Sequence, residues 1–142
     1  MGPVNLDDIL LSPLKIISVN HGDIFYGLKK SDSGYINFGE AYFSSIKHNS
    51  IKAWKRHTKM TMNLIVPIGN VLFVFYLNKK FRTIEIGEKN YFRITVPPGI
   101  WFGFKGKSQQ QNLILNISDI VHNENEIERK DECEFYYDWS LT

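Results

Sequence analysis

With 142 residues, 43% hydrophobic and 14% aromatic, the chain is long enough for one substantial core and too short for two domains of ordinary size, so one domain over residues 1–142 is expected. A formal net charge of +2 is too mild to argue for nucleic acid, and a single cysteine, Cys133, excludes an intrachain disulfide framework and a cysteine zinc cluster. Residues 1–8 carry no basic or apolar leader and no run approaches the roughly 18–20 apolar residues of a membrane span, which points to a soluble cytoplasmic protein. In chain order, residues 6–11 read as a helical turn or an arm. Short apolar or alternating runs then recur about every ten residues, bounded by Gly, Pro, Asn, Asp or Ser. The strands expected from them are 15–19, 35–38, 40–46, 51–58, 61–67, 70–77, 82–86, 91–96, 99–104 and 112–117. Two turns are clear: Pro67-Ile68-Gly69-Asn70, and Val96-Pro97-Pro98-Gly99 ahead of the aromatic run Ile100-Trp101-Phe102-Gly103-Phe104. Residues 118–130 are rich in charge and have too few apolar positions for an amphipathic helix. Such spacing is the signature of a β-sandwich or barrel.

The stretch Ile51-Lys52-Ala53-Trp54-Lys55-Arg56-His57-Thr58-Lys59 is the most informative chemically. Strand alternation puts Lys55, His57 and Lys59 on one face and Trp54, Arg56 and Thr58 on the other. Like charge beside the imidazole disfavours its protonated form and leaves a group able to accept a proton near neutral pH, as a general base must. A solvated basic strand edge remains the alternative. No two of the four histidines, His21, His48, His57 and His122, have the spacing of metal ligands on one strand, and no metal is expected. Cys133 lies in Asp131-Glu132-Cys133-Glu134, an acidic surrounding that raises a thiol pKa, and is expected to be inert. Phosphate-binding glycine loops are absent. Proton removal beside a carbonyl also needs an acid and a stabilised oxyanion. Lys55 or Lys59 suits the oxyanion. Tyr76, Tyr91, Tyr136 and Tyr137 are candidate acids, Tyr76 foremost, and Trp101 is a candidate stacking surface.

Gly39-Glu40-Ala41-Tyr42-Phe43-Ser44, the basic strand 51–57, Leu64-Ile65-Val66-Pro67-Ile68-Gly69 and the Pro-Pro-Gly aromatic strand, in this order, resemble the dTDP-4-dehydrorhamnose 3,5-epimerase group of cupins, which also holds sugar-nucleotide 3,4-ketoisomerases. The resemblance runs from about residue 15 to Trp139. It implies an all-β fold, the cupin double-stranded β-helix or jelly roll. It also implies a homodimer exchanging N-terminal strands and a nucleotide-linked 4-keto-6-deoxyhexose substrate, dTDP- or CDP-linked, with no metal or organic cofactor.

Carried over residue by residue, the resemblance puts Lys55 where the epimerases keep their basic histidine, and matches His57 to the second histidine of the ketoisomerases. The usual tyrosine acid falls near Leu115, and the aspartate that supports the histidine corresponds to Asp131. Phe102-Gly103-Phe104 stands for the usual His-Gly-Phe. The expected catalytic set is therefore His57, Lys55, Tyr76 and Asp131. Lys52, Arg56, Lys59, Asn63, Arg93, Trp101 and Phe104 are expected to bind substrate. The leading reading is an epimerase at C3, with C5 as a second position, in the making of a deoxysugar for surface polysaccharide. A 3,4-ketoisomerase and a noncatalytic sugar-nucleotide-binding cupin stay open beside it.

Overall fold

The computed structural model describes residues 2–141. Twelve strands follow in chain order: β1 (Leu10–Pro13), β2 (Ile16–Ile17), β3 (Ile24–Phe25), β4 (Glu40–Ser45), β5 (Ile51–His57), β6 (Met62–Ile68), β7 (Asn70–Leu77), β8 (Lys80–Gly87), β9 (Phe92–Val96), β10 (Trp101–Gly106), β11 (Leu113–Ser118) and β12 (Ile127–Arg129). Short 3-10 turns lie at Leu6–Asp8, Glu124–Glu126 and Trp139–Leu141, and no α-helix occurs among the described residues. One five-stranded sheet has the order β1-β9-β6-β11-β4, and a second has β12-β5-β10-β7-β8; β2 and β3 pair separately. Pairing within both large sheets is antiparallel, giving the jelly roll of a cupin.

Alternation along the strands builds the core. From the second sheet, Val71, Phe73, Phe75, Ile84, Ile86 and Phe102 pack inward against Met62, Leu64, Val66, Ile94, Val96 and Ile114 of the first. Burying each such side chain contributes roughly 1.5–3 kcal/mol. The intervening residues of the second sheet, Trp54, Leu72, Val74 and Trp101, form a separate outer cluster with Trp139, covered by Phe135 and Tyr137. Lys105 ties this covering segment down by donating from Nζ to the Trp139 carbonyl at 2.8 Å.

Most of the expected strands are present, with three kinds of difference. Residues 35–38 form no strand: the ladder to β11 starts only where the Gly39 amide donates to the Ser118 carbonyl, and Ile36 and Phe38 are exposed. The run 15–19 shortens to Ile16–Ile17. β1, β3 and β12 lacked a sequence signal because β1 ends in proline, β3 is two residues long and β12 has a single apolar residue, Ile127.

A local irregularity positions the site. Along the β10–β5 ladder Phe102 faces Lys55 but Gly103 faces Ala53, so Trp54 is an extra residue on β5. The bulge resets the alternation, and Lys52 comes to line the same interior as Lys55 and His57 while Trp54 turns to the outer cluster. The two backbones approach closely here: a Cβ added at Gly103 would lie 2.6 Å from the Cβ of Ala53. At the other end of β5, Gly99 in the left-handed region (φ +97°) closes the proline turn, and its amide donates to the His57 carbonyl at 2.7 Å.

Candidate active site

Between the two sheets lies a cavity of about 160 Å3. One wall comes from the second sheet, with Lys52, Lys55, His57, Phe73, Phe102 and Phe104; the other comes from the first, with Tyr42, Ser44, Met62, Leu64, Ile114 and Asn116. His57 is only 5% exposed, and its ring stacks on Phe102 at 6.0 Å and 12° between planes. The ring's Nδ1 is 2.5 Å from Oε2 of Glu126, itself 2% exposed.

Glu126 is held from several sides. It ends the Glu124–Glu126 turn, just before β12 pairs Ile127 with His57. Its carbonyl accepts from the Thr58 amide at 2.8 Å and the Thr58 hydroxyl at 2.9 Å. Its Oε1 accepts from the amides of Lys59 at 2.9 Å and Met60 at 3.0 Å. Burial alone would raise this carboxyl, but the hydrogen bonds from His57 and the two amides outweigh it and hold the group below its ordinary value. Burial pushes His57 below its ordinary value, Lys55 adds to the effect, and Glu126 opposes it. Both directions describe a neutral imidazole on an ionised carboxylate. A carboxylate only accepts, so Nδ1 carries the proton and Nε2 is the free basic nitrogen.

Across the cavity, Tyr42 of β4 pairs in register with Asn116 of β11. Asn116 Nδ2 donates to the Tyr42 hydroxyl oxygen at 3.1 Å and points at Met60 Sδ at 3.9 Å. A thioether sulfur carries no hydrogen and can only accept, which favours the amide with its nitrogen on these two partners. The phenol oxygen thus accepts from Asn116, leaving its own O–H to donate into the cavity.

A second recess of about 240 Å3 shares Lys52, Lys55, Phe102 and Phe104 with the cavity and adds Arg129 and Lys130. Burial lowers Lys55 below its ordinary value, and the charges of Arg129 and Lys52 act in the same sense against Glu124 and Glu126. Lys52 also donates to the Ser45 carbonyl at 3.0 Å, and its Nζ lies 6.0 Å from the Phe104 ring centroid.

Of the expected site residues, His57, Lys55, Lys52 and Phe104 line this cavity. Seven sit elsewhere. Tyr76 is on the outer face of β7, stacked on Phe135 at 3.9 Å, because alternation sends Phe73 and Phe75 inward in its place. Asp131 is exposed in the loop after β12 and accepts from the Glu132 amide; Glu126 supports the histidine instead. Trp101 is buried in the outer cluster with the Arg56 guanidinium 4.7 Å over its ring, and Arg56 pairs with Glu128 at 2.7 Å. Lys59 lies past the end of β5, exposed, and reaches the site through its backbone amide. Arg93 and Asn63 are on the outer face of the first sheet. There Arg93 donates to Asn63 Oδ1 and to the carbonyls of Gly27 and Ser33, and Asn63 accepts from Thr95, so both pin the 27–34 loop.

Tyr91 donates to the Tyr26 carbonyl, Tyr136 is 82% exposed and Tyr137 packs on Trp139, so none of these candidate acids lines the cavity. Among the described residues no group of three or more His, Cys, Asp or Glu could hold a metal ion. Tyr42 and Glu126 were missed. Alternation along 40–46 puts Tyr42 and Ser44 on one face and was the available signal for the tyrosine. Nothing in the sequence separates Glu126 from Glu124 or Glu128.

No protein-family model matches the chain. The probable low-salt glycan biosynthesis epimerase of Haloferax volcanii is 23% identical over 143 residues, 94% of this chain and 90% of that protein. The solved dTDP sugar isomerase of Desulfovibrio desulfuricans G20 is 29% identical, with a TM-score of 0.89 over 96% of this chain and 93% of that one. A sugar 3,4-ketoisomerase of Thermoanaerobacterium thermosaccharolyticum, solved with TDP, has a TM-score of 0.78 at 16% identity over 89% and 90% of the two chains, a likeness of fold. With its jelly roll, its inward-facing histidine and these likenesses, the chain resembles the cupins of the dTDP-4-dehydrorhamnose 3,5-epimerase-like group, which holds sugar-nucleotide epimerases and 3,4-ketoisomerases.

Proposed function

We propose that the protein epimerises a nucleotide-linked 4-keto-6-deoxyhexose at C3, with C5 as a second position, in building a deoxysugar for a surface glycan. The observation that carries this reading is the placement of His57 and Tyr42 on opposing walls of one cavity. Inversion requires a proton to leave one face of the sugar carbon and return to the other, and two walls bearing a base and a phenol suit that. His57 Nε2 takes the C3 proton, the enolate oxygen forms at C4 near the cations Lys55 and Lys52, and the Tyr42 hydroxyl delivers a proton from the far side. The adjoining basic recess, with Lys52, Lys55, Arg129 and Lys130, suits the diphosphate of the nucleotide. A binding module would have no use for a buried imidazole–carboxylate pair, which is costly to keep in the interior.

A homodimer is part of the reading. Ile36, Phe38 and Phe43, each about 60% exposed, give residues 36–43 an apolar surface that sedimentation at micromolar concentration would find covered in a dimer.

Products formed from dTDP- and CDP-linked 4-keto-6-deoxyglucose, read by proton spectra, test the reaction. A retained C4 ketone with inverted C3 supports the epimerase, whereas a ketone moved to C3 replaces it with the 3,4-ketoisomerase, which needs one face alone. Tyr42→Phe is expected to keep deuterium uptake at C3 in deuterium oxide while lowering formation of the inverted sugar by about 10^2-fold or more. Equal losses of uptake and inversion would remove Tyr42 as the acid.

A further inference from the structure

Asn116 is 2% exposed and lines the cavity between Tyr42 and Ile114, yet its Oδ1 has no hydrogen-bond partner. Its nitrogen is committed to Tyr42 and faces Met60, so the oxygen is the atom without a partner. A buried acceptor left unpaired costs free energy, and such groups are rare enough in native interiors that each calls for a reason. A purely bracing role for Asn116 explains the nitrogen and leaves the oxygen idle. Ser44 on the same wall makes no hydrogen bond to this oxygen, the neutral His57 faces the cavity with an acceptor nitrogen, the cations Lys52 and Lys55 sit on the opposite sheet, and the rest of the lining beyond Tyr42 is apolar.

From this geometry we infer that Asn116 Oδ1 accepts a hydrogen bond from a ring hydroxyl of the sugar, at C2 or C3, and makes the enzyme discriminate against sugars that lack it. The inference rests on the sugar-nucleotide reading above. It also links specificity to proton delivery, because one amide holds the hydroxyl through its oxygen and orients the Tyr42 phenol through its nitrogen. A sugar carrying the hydroxyl completes the hydrogen bonding of this wall; a deoxy sugar leaves the acceptor buried and unpaired.

Calorimetric titration of the wild-type protein with dTDP-6-deoxyglucose, dTDP-2,6-dideoxyglucose and dTDP-3,6-dideoxyglucose tests it without turnover. One of the two deoxy ligands is expected to bind about tenfold or more weakly than the parent, and which one does so names the hydroxyl. In Asn116→Leu that preference is expected to vanish, while the parent loses affinity to the level of the deoxy ligand. Equal binding of all three ligands by the wild type, or an undiminished preference in Asn116→Leu, overturns the inference and leaves the function standing. Failure of the parent ligand to bind at all overturns both. The wild-type comparison decides the matter even where the variant does not fold.

Discussion

His57→Asn is expected to fold and to bind a sugar nucleotide while turnover falls by about 10^2–10^4-fold, the usual worth of a positioned general base. The amide of asparagine can still meet Glu126, so the buried carboxylate keeps a partner, but no basic nitrogen is left. Thermal unfolding and ligand titration check the fold and binding, and steady-state assay checks turnover; a variant with undiminished turnover removes His57 as the base. The same residue sets the acid limb of the wild-type profile. Because His57 is held below its ordinary 6.5, the acid limb of kcat/KM is expected to have its midpoint below pH 6.5.

Stability follows the same sign. As pH falls through 6.5 the unfolded chain takes up the histidine proton before the folded one does, so stability declines toward the lowered folded value. Glu126, held below its ordinary 4.5, adds a further loss below that pH, since its stabilisation is present only where the carboxyl is ionised.

A comparable loss is expected at Glu126, where two substitutions separate orientation from stability. In Glu126→Gln the introduced side-chain oxygen still accepts from the Lys59 and Met60 amides, which turns its NH2 toward His57 Nδ1. That nitrogen must then accept, the ring proton moves to Nε2, and the base is lost without loss of the ring. Turnover is expected to fall by up to about 10^4-fold with stability little changed, as when a buried carboxylate that fixes a catalytic tautomer is replaced by its amide. Glu126→Ala leaves the part-buried Lys59 amide, the buried Met60 amide and a buried imidazole without their acceptor and is expected to cost about 3–5 kcal/mol, read by denaturant unfolding. Should the glutamine variant turn over normally, Glu126 serves the fold alone.

The sequence resemblance led to the cupin fold and to the basic strand because both rest on local patterns: alternation along β6 and β7, the proline turn at Pro97 and Pro98, and the run from Lys52 to His57. It did not lead to the partners of His57. Glu126 is 69 residues away and sits in a charged stretch whose glutamates look alike until β12 pairs with β5. Strict alternation also misread the wall, since the bulge at Trp54 brings Lys52 inward and Lys59 falls beyond the strand. Tyr76 read as the acid because alternation turns it away from Phe73 and Phe75, and Trp101 read as a stacking surface because it follows the rigid proline turn. A C-terminal segment carrying Phe135, Tyr137 and Trp139 gives them a covered outer face instead. Arg93 read as a substrate-binding residue, but its guanidinium is spent on the 27–34 loop.

The central claim is that this chain removes the proton beside the sugar ketone through His57. Proton spectra of dTDP-4-keto-6-deoxyglucose mixed with the wild-type protein in deuterium oxide read it directly. The C3 proton signal is predicted to disappear in the presence of the wild type and to persist with His57→Asn. A C3 proton that survives the wild-type protein, with both the dTDP- and the CDP-linked sugar, would contradict the account.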